Sequence, residues 1–172
     1  MDSEQTVKLI LHRMQRIYRN AIGARRRGDW LRAHAINNSE WIYSVSADDV
    51  ISHKIPSRVA GEFARAKLFC KIASEINFEC FVILTANTDD LADGCEHIHG
   101  FPLIAINIDG VLRSFNPGAW PLSFIPGCVA VGRLIRSVKN WMPCRICAVI
   151  PRDEFLKINT YKKLHDLYIK DA

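Results

Sequence analysis

The chain has 172 residues, of which 49% are apolar and 24% charged, with a formal net charge of +5. Those proportions exclude a collagen-like, low-complexity or disordered protein. No apolar run approaches the roughly 18 residues of a membrane span, and the acidic start Met1-Asp2-Ser3-Glu4-Gln5 lacks the basic and apolar regions of a secretory signal. Residues 3–27 read as a helix, because Val7, Leu11, Met14, Tyr18 and Ile22 recur at three- and four-residue steps. Arg25, Arg26 and Arg27 fall in its last turn, where cations suit the helix dipole, and Gly28 stops it. Asp29 can cap a short second helix holding Trp30, Leu31, Ala33 and Ile36. Residues 37–56 are expected to be irregular, with a short helix near 41–45.

Ser57 can cap a third helix, carried to Ile76 by Val59, Phe63, Ala66, Cys70 and Ala73. Its apolar arc is wide, so it is expected to be the central helix. The period then changes. Residues 78–85 form a continuous β-rich run, and 86–94 an acidic loop. Residues 99–108 and 111–115 are expected strands joined by Asp109-Gly110, a strong hairpin signal. Asn116-Pro117-Gly118 is a turn, 121–127 a loop and 128–131 a short strand. Residues 134–141 suit a short helix or a strand, and 145–150 a strand. Asp153 can cap a last helix with the stripe Phe155, Tyr161, Leu164 and Tyr168. The order predicts an α+β fold of N-terminal helices, a central helix, an antiparallel sheet with an Asp-Gly hairpin, and a C-terminal helix. One domain is expected over 1–172, with a helical part at 1–56 and an α+β core at 57–172, cytoplasmic or exported without a cleaved signal peptide.

Most of the six cysteines lie in apolar segments such as Leu68-Phe69-Cys70-Lys71-Ile72 and Glu79-Cys80-Phe81-Val82. A chain of this length needs no disulfide staples, so they are expected to be reduced core thiols. That reading extends to Cys144-Arg145-Ile146-Cys147, whose spacing alone suits a metal or redox pair but which lacks a second pair.

The text Gly61-Glu62-Phe63-Ala64-Arg65-Ala66, Ile76-Asn77-Phe78-Glu79-Cys80-Phe81-Val82, His99-Gly100-Phe101, Ile106-Asn107-Ile108-Asp109-Gly110 and Phe115-Asn116-Pro117-Gly118 resembles the core of papain-like and transglutaminase-like thiol enzymes. The resemblance covers about a third of the chain. It implies a central helix, a histidine at the head of a strand, and an Asp or Asn ending the next strand. It further implies His99 as base, Asn116 as the group that orients the imidazole, and a thiolate as nucleophile. The family's cysteine starts the central helix. Here that region reads Ser57-Arg58-Val59-Ala60-Gly61-Glu62, with Glu62 near the slot. Cys95 is then the thiol best placed to serve His99. The activity implied is hydrolysis or transfer at an amide bond, as a protease, deamidase or acyl transferase, or a catalytically silent relative.

Two other readings stand beside it. Cys95, His97 and His99 alternate along an extended segment, which puts two imidazoles and a thiolate on one face, a set that can hold zinc. A row of solvated polar side chains has the same pattern. The first helix carries Lys8, Arg13, Arg16, Arg19, Arg25, Arg26 and Arg27, whereas 72–112 holds no Lys or Arg. Such a face suits an acidic protein partner, or phosphates of nucleic acid. No helix-turn-helix, zinc-finger or RNA-sheet motif supports the second, so Arg16, Arg19 and Arg25 to Arg27 are expected to meet protein. No Walker loop, dinucleotide fingerprint or Gly-x-Ser-x-Gly elbow occurs.

Overall fold

A computed structural model describes residues 2–19, 43–52, 55, 57–87, 102–118, 134–136 and 143–170. The first helix, α1 (Ser3–Arg19), is capped by Asp2, whose carboxylate accepts the Gln5 N–H at 2.7 Å. It buries Val7, Ile10, Leu11 and Met14. The expected continuation to Arg27 lies outside the described residues.

A second helix, α2 (Ala47–Ser52), occupies a stretch expected to be irregular. A reciprocal cap starts it: the Asp49 carboxylate accepts from the Ser46 N–H at 2.8 Å, and the Ser46 hydroxyl accepts the Asp49 N–H at 3.0 Å. Helix α3 (Ser57–Glu75) is kinked at Gly61, whose φ of 79° and ψ of 179° suit only glycine. Continuous helix from Ser57 is therefore corrected to two segments, the second beginning at Glu62. From Ala66 to Cys70 every side chain is buried. The helix ends on a Schellman turn. Asn77, at φ 53°, donates to Ser74 O at 3.1 Å, and Phe78 donates to Ala73 O at 2.8 Å.

The sheet has the order β3-β2-β1-β5-β4, antiparallel at every junction. Its strands are β1 (Phe81–Asn87), β2 (Pro102–Ile108), β3 (Val111–Phe115), β4 (Leu134–Arg136) and β5 (Pro143–Pro151). The fold class is α+β. Strand β1 starts three residues later than the apolar run suggests, because Phe78 belongs to the Schellman turn. Between β2 and β3 the chain turns at Asp109 and Gly110, with φ of 53° and 80°, and the Asn107 carboxamide accepts the Gly110 N–H at 2.8 Å.

The helices cover one face of the sheet. Val82, Leu84, Ala86, Ile104, Ile106 and Phe115 meet Phe63, Phe69, Ile72 and Phe155 in the main core. Phe69 and Phe115 make an edge-to-face pair with centroids 5.5 Å apart. The alternate residues Ile83, Leu103, Ala105 and Ile146 form a smaller buried cluster on the opposite face. The β1–β5 register shifts between Leu84 and Thr85: Leu84 opposes Ala148 but Thr85 opposes Ile146. The extra residue is Cys147, and it keeps paired residues on matching faces across the bulge.

The chain from Arg152 is not one helix. Its first piece, α4 (Arg152–Phe155), is entered from Pro151 with no side-chain cap, so Asp153 does not cap it. Asp153 instead pairs with Arg152, Nε to Oδ1 at 2.8 Å. After a turn, Thr160 caps α5 (Tyr161–Leu164), which widens into a π-helical turn over His165–Ile169. No helix among the described residues is long and apolar enough to cross a membrane.

Two cations tie these elements together. Lys67, 2% exposed, donates from Nζ to Tyr43 O at 2.5 Å and Val45 O at 3.2 Å, which binds the chain ahead of α2 to α3. Burial holds its pKa down at about 8, against the pull of Asp49. Arg152 donates from Nη1 to Phe78 O at 2.8 Å and Ala73 O at 3.4 Å, so it locks the turn after α3.

Candidate functional site

The second segment of α3 opens at Glu62, and its first turn presents Arg65. The turn that leaves β3 lies against this arginine: a Cβ on Gly118 would stand 2.9 Å from Arg65 Nη1, so only glycine fits without displacing it. That turn is closed by Asn116, whose side-chain oxygen accepts the Gly118 N–H at 2.8 Å. From α1, Tyr18 completes the cluster. Its hydroxyl is buried, which pushes its pKa up, and the Arg65 charge opposes the shift. Tyr18 Oη and Arg65 Nε are both buried without a hydrogen-bond partner among the described residues. Glu62 is nearly half exposed, at 45%, and lies 4.0 Å from Arg65. Partial burial raises its carboxyl above the usual range, again opposed by Arg65.

The register fixes where Asn116 stands. Ile104 pairs with Phe115, so Asn116 follows β3 at the end where the chain enters β2. Asn116 keeps a second lone pair on its side-chain oxygen, which a ring N–H could use. The nucleophile is a different matter. Residues 57–62 hold no cysteine, and Cys70, Cys80 and Cys147 are buried. Cys147 donates from Sγ to Arg145 O at 3.8 Å and belongs to the main core. Cys95, His97, His99, Arg25, Arg26 and Arg27 lie outside the described residues. Among the described residues no group of three His, Cys, Asp or Glu side chains is placed to hold a metal ion.

No family model, curated protein or solved structure matches this chain.

A second feature lies along α1. Its solvent side carries Lys8, Leu9, His12, Arg13, Arg16 and Arg19, all exposed. Lys8 pairs with Glu4 at 2.8 Å, and Arg13 with Glu75 of α3 at 2.6 Å. Arg16 and Arg19 make no ion pair with another described residue. Between α1 and the end of α3 runs an open, mostly apolar groove of about 370 Å³, lined by Leu9, Ile10, Arg13, Ile72, Ile76 and Phe78 among others. Leu9 is 53% exposed and Ile76 49%, so large apolar side chains stand in water here. Leu9, Arg13 and Arg16 share one face by helical spacing.

Of the expected site residues, the structure therefore places Asn116, Arg16 and Arg19, at two separate features. Sequence reasoning missed Arg65, Tyr18 and the Leu9–Ile76 groove. Tyr18 reads as part of the apolar stripe, which it joins by packing against the core. Arg65 is invisible to pattern because its partners come from α1 and from β3.

Proposed function

We propose that this chain is a binding domain on a thiol-hydrolase-like scaffold, and that it takes an acidic amphipathic protein segment along α1. The observation that carries this reading is the open Leu9–Ile76 groove, with Arg13 in its wall and Arg16 and Arg19 further along the helix. A helical peptide would set its apolar side in the groove and its carboxylates toward the arginines. The start of α3, where a thiol enzyme needs its nucleophile, holds Glu62 instead.

The test is fluorescence anisotropy with a labelled Glu/Leu peptide of amphipathic helical spacing, beside a scrambled peptide of equal composition and a single-stranded oligonucleotide. The amphipathic peptide should bind best, and more weakly as salt rises. Arg16→Glu with Arg19→Glu should weaken it about tenfold, near 1.4 kcal/mol, and Leu9→Asp should weaken it similarly. Equal binding of both peptides, or indifference to these substitutions, discards the reading. Preference for the oligonucleotide would assign the face to phosphates.

One observation favours a second reading, a thiol hydrolase using Cys95, His99 and Asn116: Asn116 follows β3 at the end of the sheet where β2 begins, and His99 precedes β2 by three residues in the sequence. Iodoacetamide at about pH 6 reacts with an activated thiolate far faster than with a thiol of ordinary pKa near 8.5. Fast labelling of Cys95 that is lost in His99→Ala would support the enzyme, and slow labelling of every cysteine would remove it.

A further inference from the structure

Glu75 is the last residue of α3, in the helix turn where the macrodipole disfavours an acid. Its partner lies outside the helix. The carboxylate reaches across to α1 and pairs with Arg13, Nη2 to Oε2 at 2.6 Å. Arg13 lines the open groove between the two helices, and so does Ile76, the residue next to Glu75. Both members of the pair stand well into water, with side chains 48% and 38% exposed. Exposed pairs of this kind are weak, so a second carboxylate can displace Glu75 from Arg13. Leu9 precedes Arg13 by four residues on the same face of α1, about 6 Å along the helix axis. The groove wall therefore offers the apolar side chains of Leu9 and Ile76 one helical turn from a guanidinium that already holds a carboxylate.

We infer that Glu75 stands in for the partner's own carboxylate, and that the partner segment carries an acid one helical turn from a large apolar side chain. This rests on the reading of the groove as a peptide site. The apolar side chain of the partner packs on Leu9 and Ile76, and its acid replaces Glu75 on Arg13. Displacing Glu75 costs the pair already made, and the displaced carboxylate stays close to the incoming one as a like charge. Glu75 thus competes within the chain for the cation that the partner needs. It lowers the affinity for an acidic segment, and it does so through Arg13.

The experiment is a double-mutant cycle on the full chain, read by fluorescence anisotropy with the labelled amphipathic Glu/Leu peptide and its scrambled form. Wild type, Glu75→Gln, Arg13→Gln and the double variant are compared. Glu75→Gln should tighten binding of the amphipathic peptide about threefold, and Glu75→Ala should do the same. The gain should shrink as salt rises. In the Arg13→Gln background, Glu75→Gln should change affinity by less than about 1.5-fold, since only screened repulsion is then relieved. Unchanged or weaker binding by both Glu75 variants, with wild type still preferring the amphipathic peptide, overturns the inference and leaves the groove as a peptide site. A threefold gain that persists without Arg13 also overturns it, because net charge alone would then explain the effect. Equal binding of the two peptides by wild type removes the groove reading itself, and this inference with it.

Discussion

Lys67 and Arg152 do the same mechanical task in two settings. Each donates to two backbone carbonyls and so fastens one segment to another, Lys67 at the chain ahead of α2 and Arg152 at the turn after α3. Lys67 is sealed at 2% exposure, whereas the Arg152 side chain is 15% exposed and borders a cleft. A lysine can shed its proton when buried, and its pKa falls to about 8. An arginine cannot, and Arg152, held by the Asp153 carboxylate, is raised instead. Burial therefore makes the first a structural bolt that titrates. The second is a permanent charge that remains available to whatever enters beside it.

The largest effect should come from breaking the sealed contact. Lys67→Ala removes a long buried side chain together with its hydrogen bonds to the carbonyls of Tyr43 and Val45, and should cost about 3–5 kcal/mol, read as a lower urea midpoint. A loss below about 1 kcal/mol would show that the two carbonyls find other partners.

The next sharpens the comparison by pH. The folded value of Lys67, about 8, lies below its ordinary 10.5, so the unfolded chain holds more protons between them. Stability linked to this group therefore rises with pH across that window. Cys70 and Tyr18 act in the opposite sense, since burial raises both and their contribution fades as pH climbs. Comparison with Lys67→Met isolates the lysine. Wild type should gain on that variant by up to about 3 kcal/mol from pH 8 to 10.5. A constant gap would mean that Lys67 keeps its proton throughout.

Arg152→Leu should cost less, about 1–2 kcal/mol, because water can reach the carbonyls it leaves. The smallest effect is expected on the outer face of α1. There Arg16→Glu with Arg19→Glu should change stability by less than about 0.5 kcal/mol, so any loss of peptide binding in that variant reports on contact and not on folding.

The sequence carried what local periodicity can carry. The stripe Val7, Leu11 and Met14 is buried, the third helix is central, and helices with an antiparallel sheet give the α+β class. Its gaps have local causes too. Ser46 and Asp49 write a capping box that apolar period cannot detect in a six-residue helix. Gly61 looks tolerable inside a helical pattern, yet its backbone is not helical. The last helix is split because Arg152 occupies the Asp153 carboxylate and Thr160 starts the chain anew. Lys67 lies between apolar neighbours on a helix buried on nearly all sides, and no pattern says where its ammonium goes. Of the residues that the sequence singles out for a site, Asn116, Arg16 and Arg19 are the described ones. The Tyr18–Arg65–Gly118 cluster joins elements distant in sequence, and such a meeting is a property of the fold.

The sheet order has a consequence in time. Strand β1 lies at the centre, between β2, which follows it, and β5, which the chain supplies only after β2, β3 and β4. The β1–β2–β3 meander closes the shorter separations and can form early, but β1 finds its second neighbour only once a longer intervening stretch has been gathered. Folding should therefore wait on β5, on the slow scale of milliseconds to seconds set by distant strand pairings. Until it docks, one edge of the central strand stands open to the backbone of any neighbouring chain.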